Sequence, residues 1–174
     1  MEEVAKGELC GDRVIVSGEA ASRIHQRGFF GKPVGGARLQ LAPVEALYLV
    51  ERGKLEVYEE ESRIDFDGLM RRFSKDDRLL PLKYAVYSDL RSRGYIVRTG
   101  LKFGADFRVY EKGEKPPDSH SKFLVRVIQE KAKLSVSDIS GDVRLSHGVR
   151  KKMLYAVVDD EGDVTYYSVA RERL

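Results

Sequence analysis

Near the end of the chain two apolar runs, Met153–Val158 and Val164–Val169, are separated by the acidic segment Asp159-Asp160-Glu161-Gly162-Asp163. β-rich runs joined by a short polar turn that contains glycine read as an antiparallel hairpin, which commits this end of the protein to a sheet. Upstream, Tyr95–Thr99, Phe107–Glu111 and Phe123–Ile128 are further β-rich runs separated by turns. Tyr84, Val86, Tyr87 and Leu90 form a helical stripe ended by Gly94, and Ser135–Ser146 reads as a short helix or turn followed by Val143, Arg144 and Leu145. Residues 83–174 are therefore expected to form a domain with a central mixed β-sheet flanked by helices.

The first half has another pattern. Gly11–Ser17 reads as a short strand and the glycine-rich stretch from Ala20 to Arg38 as irregular. Leu41, Val44, Leu47, Tyr48 and Val50 recur at helical spacing between Pro43 and Gly53, which predicts a helix over 43–52. A strand over 54–58 and an amphipathic helix over 65–73 follow, and Leu80, Pro81 and Leu82 punctuate the chain before the second domain. The expected class is α/β (α+β), with a small mixed α/β domain over 1–80. Leu41, Leu47, Phe73, Tyr84, Tyr87 and Leu90 are assigned to the core.

Composition narrows the function. The net charge of +3 is too small to announce a nucleic-acid partner, yet it hides an asymmetry. Residues 1–81 carry 13 basic and 15 acidic side chains, whereas residues 82–174 carry 18 and 13. The positive charge thus belongs to the second half, a weak pointer to an anionic partner there. No apolar run approaches the roughly 20 residues a membrane helix needs, and the acidic start Met1-Glu2-Glu3 is not that of a signal peptide, so a cytoplasmic protein is expected. One cysteine, Cys10, allows neither an intramolecular disulfide nor a cysteine-rich metal cage.

Common catalytic signatures are missing. His25, His120 and His147 are far apart with no His-x-x-x-His pair, so no metal is called for. Neither phosphate-loop nor dinucleotide glycine pattern occurs, despite the glycines from 31 to 36, and there is no Gly-x-Ser-x-Gly elbow. No cofactor is implied. In the basic half Tyr110, His120 and Lys151 remain, a sparse set that composition cannot link.

Their surroundings do link them. The stretch Tyr95-Ile-Val-Arg-Thr-Gly-Leu-Lys-Phe-Gly-Ala-Asp-Phe-Arg-Val-Tyr110, followed by Asp118-Ser-His120 and by Val143-Arg144 to Lys151-Lys152, resembles the archaeal type of tRNA splicing endonuclease, the tRNA-intron endonucleases. The resemblance runs from about Lys83 to Tyr167, and Val44-Glu-Ala-Leu-Tyr48 extends it into the first half; the glycine-rich 28–36 region is the least family-like part. It implies a catalytic triad of Tyr110, His120 and Lys151, with Arg144 gripping a bulge base; by itself Arg144 reads equally as a structural or phosphate contact. It also implies that Asp159, Asp160, Glu161 and Asp163 dock into a neighbouring subunit. The implied substrate is precursor tRNA with a bulge-helix-bulge, cut at both splice sites to leave 2′,3′-cyclic phosphate and 5′-hydroxyl ends without a metal. A tetramer is implied, either of this chain alone or with a second, structural subunit.

Elementary chemistry bears on the roles. A histidine, titrating near pH ~6.5, can serve as acid, and a lysine supplies a compact charge for a developing oxyanion. A tyrosine hydroxyl, which ordinarily ionises near pH ~10, is a poor base without nearby cations, so Tyr110 acts as base or only orients the 2′-hydroxyl. Lys152 is the alternative to Lys151, since adjacent lysines point to different faces. His147 reads as a residue of the surface or of the site's surroundings, and His25 and Cys10 as incidental. Two rivals stay open: an RNA-binding or assembly subunit that needs a partner for activity, and a metal-dependent nuclease built on Asp106, Asp118 and Asp142.

Overall fold

The computed structural model describes residues 2–174, so Met1 of the acidic start lies outside the described residues. Contacts divide the chain into a first unit ending at Tyr84 and a second, Ala85–Leu174. Among the described residues no helix is long and apolar enough to cross a membrane.

The first unit is built on a six-stranded sheet of order β3-β4-β2-β1-β5-β6. Its strands are β1 (Ala5–Cys10), β2 (Arg13–Ser17), β3 (Lys32–Pro33), β4 (Arg38–Leu41), β5 (Leu55–Glu59) and β6 (Ser62–Ile64). β1 lies near the centre although its sequence is mostly polar, pairing antiparallel with β2 and parallel with β5. Glycine is required in it, because a Cβ on Gly7 would come within 2.5 Å of the Val14 side chain. Helix α2 (Pro43–Glu51) and helix α3 (Phe66–Ser74) match the two expected helices closely. Asp65 caps α3 by accepting from the Gly68 amide at 2.8 Å.

Between β2 and β4 the structure corrects the expectation of an irregular 20–38 stretch, for Gly18–Gly28 is helix α1. Its apolar side is short, Ala20, Ala21 and Ile24 among many polar residues, with only Ala21 buried, and the glycines at its ends mark its limits. The glycine-rich turn that follows is pinned from below. Glu45, on α2 and nearly buried, accepts from the Gly31 amide at 2.5 Å and from the Ala42 amide at 3.0 Å. Gly31 has φ +76°, and a Cβ there would press on Leu39 and on the Gln40 carbonyl.

Helix α4 (Leu80–Ser92) spans the division between the units. Leu80, Pro81 and Leu82, expected to punctuate the chain, form its first turn, where a proline lacks nothing because that amide has no helical partner.

The second unit carries a five-stranded mixed sheet of order β11-β10-β9-β8-β7. Its strands are β7 (Val97–Thr99), β8 (Phe107–Val109), β9 (Phe123–Gln129), β10 (Lys152–Val158) and β11 (Val164–Val169), with a 3-10 turn over Leu101–Phe103. β10 and β11 form the expected hairpin, Val158 opposite Val164. Helix α5 (Val136–Gly148) corrects the reading of a short helix that stops before Val143. Its interior is rich in Ser, Asp and Gly, which hides the period, but a capping box announces its start: Ser135 Oγ accepts from the Asp138 amide at 3.0 Å, and Asp138 Oδ2 accepts from the Ser135 amide at 3.1 Å.

Helices cover both faces of this sheet. Tyr87 of α4 packs on Phe107 with ring centroids 5.7 Å apart, and Tyr166 donates to Asp89 of α4 at 2.7 Å. Ile139 and Leu145 of α5 pack against Leu124, Met153 and Tyr155 on the other face. All six residues assigned to the core from sequence are buried.

Glu45→Ala would strand two amides beneath the glycine-rich turn. It is expected to lower the unfolding free energy by about 3 kcal/mol, read by urea denaturation at constant m-value.

Candidate active site

The second sheet gathers the ends of three adjacent strands. β9 and β10 are parallel and in register from Phe123–Lys152 to Gln129–Val158, so both begin at one end of the sheet. β8 runs antiparallel to β9 with Val109 opposite Phe123, so it finishes there too. Two backbone bonds lock that end: the Lys122 amide donates to the Val109 carbonyl at 2.9 Å, and the Lys152 amide to the Lys122 carbonyl at 2.9 Å.

Tyr110 follows β8 directly. It is 4% exposed, and its amide donates to the Ile96 carbonyl at 3.1 Å. His120 is exposed in the segment that leads into β9. Lys151 precedes β10, its amide donating to the Ser146 carbonyl at 2.8 Å and its Nζ to the Ser121 carbonyl at 2.6 Å. The ammonium therefore reaches the residue next to His120. Lys152 is exposed as the first residue of β10. Ser121 is buried, and its hydroxyl finds no hydrogen-bond partner among the described residues.

Lys151 is held below the ordinary lysine range, first because burial penalises its charge and second because of the Arg108 charge. Both cations lie near one ring. Lys151 Nζ is 5.2 Å and the Arg108 guanidinium 5.9 Å from the Phe103 centroid. Phe103 and Arg108 both stand within the motif that carries the resemblance, but neither belongs to the triad it implies, so only proximity in the fold reveals them.

Arg144 is exposed on α5, two turns of chain before Lys151. That helix is tied to the sheet by a polar network. Arg126 of β9 donates to Asp142 from Nε at 2.9 Å and from Nη2 at 2.6 Å, and Tyr155 of β10 donates to the other Asp142 oxygen at 2.6 Å. Burial, and then the bond to Asp142, pushes the Tyr155 hydroxyl well above its ordinary range. Asp106 accepts from the Val127 amide at 2.7 Å. Two of the three carboxylates a metal-dependent nuclease would use are thus engaged in structure. Among the described residues no three His, Cys, Asp or Glu side chains come together in a way that could hold a metal ion.

A groove beside Lys151 is lined by His147, Lys152, Arg171 and Arg173, with Arg171 donating to His147 Nε2 at 3.4 Å. At the hairpin, Asp159 is used locally: its Oδ1 accepts from the Glu161 and Asp163 amides, both at 2.9 Å. Asp160 pairs with Lys131 at 3.0 Å, while Glu161 and Asp163 are exposed.

The mixed sheet thus gathers basic side chains at the ends of its strands, and comparison with known proteins says what the chain is similar to. The family model for the catalytic C-terminal domain of tRNA intron endonuclease matches residues 80–166, and that for the N-terminal domain matches residues 5–70. The chain belongs to the tRNA intron endonuclease family. It is 48% identical to the tRNA-splicing endonuclease of Thermococcus gammatolerans over 92% of this chain and 94% of that one. Identity is 45% with that of Methanothermobacter thermautotrophicus, over 94% and 95%. With that of Pyrococcus furiosus it is 44%, over 97% of each.

Neutralising Arg108 as Arg108→Gln should raise the Lys151 titration midpoint toward the ordinary lysine range, by removing the repulsion but not the burial. Carbon-detected NMR of the lysine side chains reads it; an unmoved midpoint would separate the two charges.

Proposed function

We propose that this chain is a catalytic subunit that excises introns from precursor tRNA in the cytoplasm, cutting both splice sites of a bulge-helix-bulge. The observation that carries this reading is the bond from Lys151 Nζ to the Ser121 carbonyl, beside His120, at the end of the sheet where Tyr110 also stands. In the reaction the RNA's own 2′-oxygen attacks the adjacent phosphorus. The bond to the 5′-oxygen breaks, leaving a 2′,3′-cyclic phosphate and a 5′-hydroxyl. Tyr110 takes the 2′-proton or orients that hydroxyl, His120 protonates the departing 5′-oxygen, and Lys151 offsets charge on the phosphorane. Each proton transfer contributes about 10²–10⁴-fold, and none of these steps needs a metal.

The division into an N-terminal domain over 1–80 and a catalytic domain over 83–174 belongs to the same proposal. It is supported by compact units that meet at Tyr84 and Ala85 and by the residues the two family models match. A-form duplex hides its base edges, so unpaired bulge nucleotides are the readable element, and Arg144 stacks on one of them or contacts its phosphate. Two sites at a set separation measure the helix between the bulges. A tetramer, of this chain alone or with a second, structural subunit, provides them, docked by the acidic hairpin of one subunit in a basic groove of another.

His120→Ala and Lys151→Ala should each lower single-turnover cleavage of a model bulged RNA by 10²-fold or more. Tyr110→Phe should do so as well, and a loss of only a few-fold would remove it from either role. The wild-type chain should cut in EDTA and leave cyclic phosphate ends, as read by mass spectrometry of the products. No cleavage by the pure chain would instead favour the reading as a subunit that needs a partner.

The docking role is best tested at Glu161→Lys with Asp163→Lys, because Asp159 also holds the turn together. The double variant should elute as a smaller species than wild type on a sizing column, and an unchanged elution volume would refute hairpin docking.

A further inference from the structure

One row of residues crosses the second sheet from β7 to β11: Arg98, Arg108, Leu124, Met153 and Val169, each paired with the next. Its β9 to β11 side is apolar and covered, for Leu124 and Met153 are buried with Phe103, Leu145 and Val149 packed around them. Its β7 to β8 side sets Arg98 directly opposite Arg108. The period of two puts Tyr110 on the face of Arg108, and Lys151 on the face of Met153, so the arginine shares one side of the sheet with these two residues of the candidate triad.

Arg108 is also held in a specific way. Its Nε donates to the Thr99 carbonyl at 3.2 Å, and its guanidinium lies by Phe103 together with Lys151 and with Lys102, whose Nζ is 5.7 Å from the ring centroid. Among the described residues neither Arg108 nor Lys151 forms an ion pair, whereas Arg126, on the next strand, pairs with Asp142 at 2.6 Å. One nitrogen of the guanidinium is therefore anchored, and the two terminal nitrogens remain as a planar pair of donors, the geometry that suits two phosphate oxygens. Three cations around one ring repel one another, and an anion seated among them relieves that repulsion.

We propose that Arg108 binds the phosphodiester next to the scissile one, holding the RNA strand along Phe103 while Lys151 faces the reacting phosphate. The inference rests on the cleavage reading for the place of the reacting phosphate. Arg108 itself acts in binding.

The test compares wild type, Arg108→Gln and Arg108→Lys on a model bulged RNA with a 2′-deoxynucleotide at each cleavage position, which binds without being cut. Arg108→Gln should weaken binding about tenfold at moderate salt and reduce the slope of log K against log salt by about one. Arg108→Lys should restore the slope and only part of the affinity, because it keeps the charge and loses the planar fork. With the all-ribose RNA, the single-turnover rate at saturation should fall far less than the affinity. Unchanged affinity and slope in Arg108→Gln, in a variant whose thermal melt matches wild type, would overturn the inference. So would a loss confined to the saturated rate. Wild-type binding without cleavage of the all-ribose RNA would sink the cleavage reading while the slope still judges Arg108; no wild-type binding at all would sink both.

Discussion

The parallel pairing of β9 with β10 is the constraint on which the second unit depends. Parallel neighbours cannot be joined by a tight turn, so the chain must cross over the sheet, and α5 is that crossover. The crossover returns the chain to the end of the sheet where β9 began, which is how Lys151 comes to sit beside Ser121 although thirty residues separate them. Antiparallel pairing of β8 with β9 then delivers Tyr110 to the same end. Register matters as much as direction. A slip of one residue in β10 would turn Lys151 to the opposite face and carry the fully buried Met153 away from its partners beneath α5.

Burial and charge are balanced differently in two neighbouring places on this sheet. Under α5, Arg126, Asp142 and Tyr155 satisfy one another, so buried polar atoms fix where the helix lies on the strands. A step away, Lys151 and Arg108 share one aromatic ring with no carboxylate between them, and Lys151 is made a weaker base by burial and by that neighbour. The first arrangement holds the scaffold without a ligand. The second leaves two cations repelling each other, and an anion seated beside them would relieve that repulsion.

Legibility in the sequence follows the same division. The helices over 43–51 and 66–74 and the hairpin of β10 with β11 carry clear periods, and local pattern alone finds them. β1 does not, since Lys6, Gly7 and Glu8 owe their place to neighbours: Val14 and Leu55 close over Gly7 from adjoining strands. α1 carries only the short apolar side of Ala20, Ala21 and Ile24, and α5 hides its period behind serines and Gly141 while advertising only its cap. For the candidate site, the spacing that resembles a known family singles out Tyr110, His120 and Lys151. Arg108 and Phe103 lie in plain view inside the same motif, but what distinguishes them is a shared ring and a missing counter-ion, which only the fold displays.

Charge counting shows why a global number misleads here. The excess of basic side chains in residues 82–174 is diluted by the hairpin carboxylates and by those of Asp106 and Asp142, which serve the fold. Asp159 spends its charge on the amides of its own turn, and Asp160 meets Lys131. Once charges committed to local structure are set aside, the cations that remain without ion-pair partners among the described residues include Arg108, Lys151 and Lys152, close to one end of the sheet. An anionic chain approaching this unit therefore meets a cluster of cations that the net charge of +3 does not disclose, gathered at and beside the strand ends.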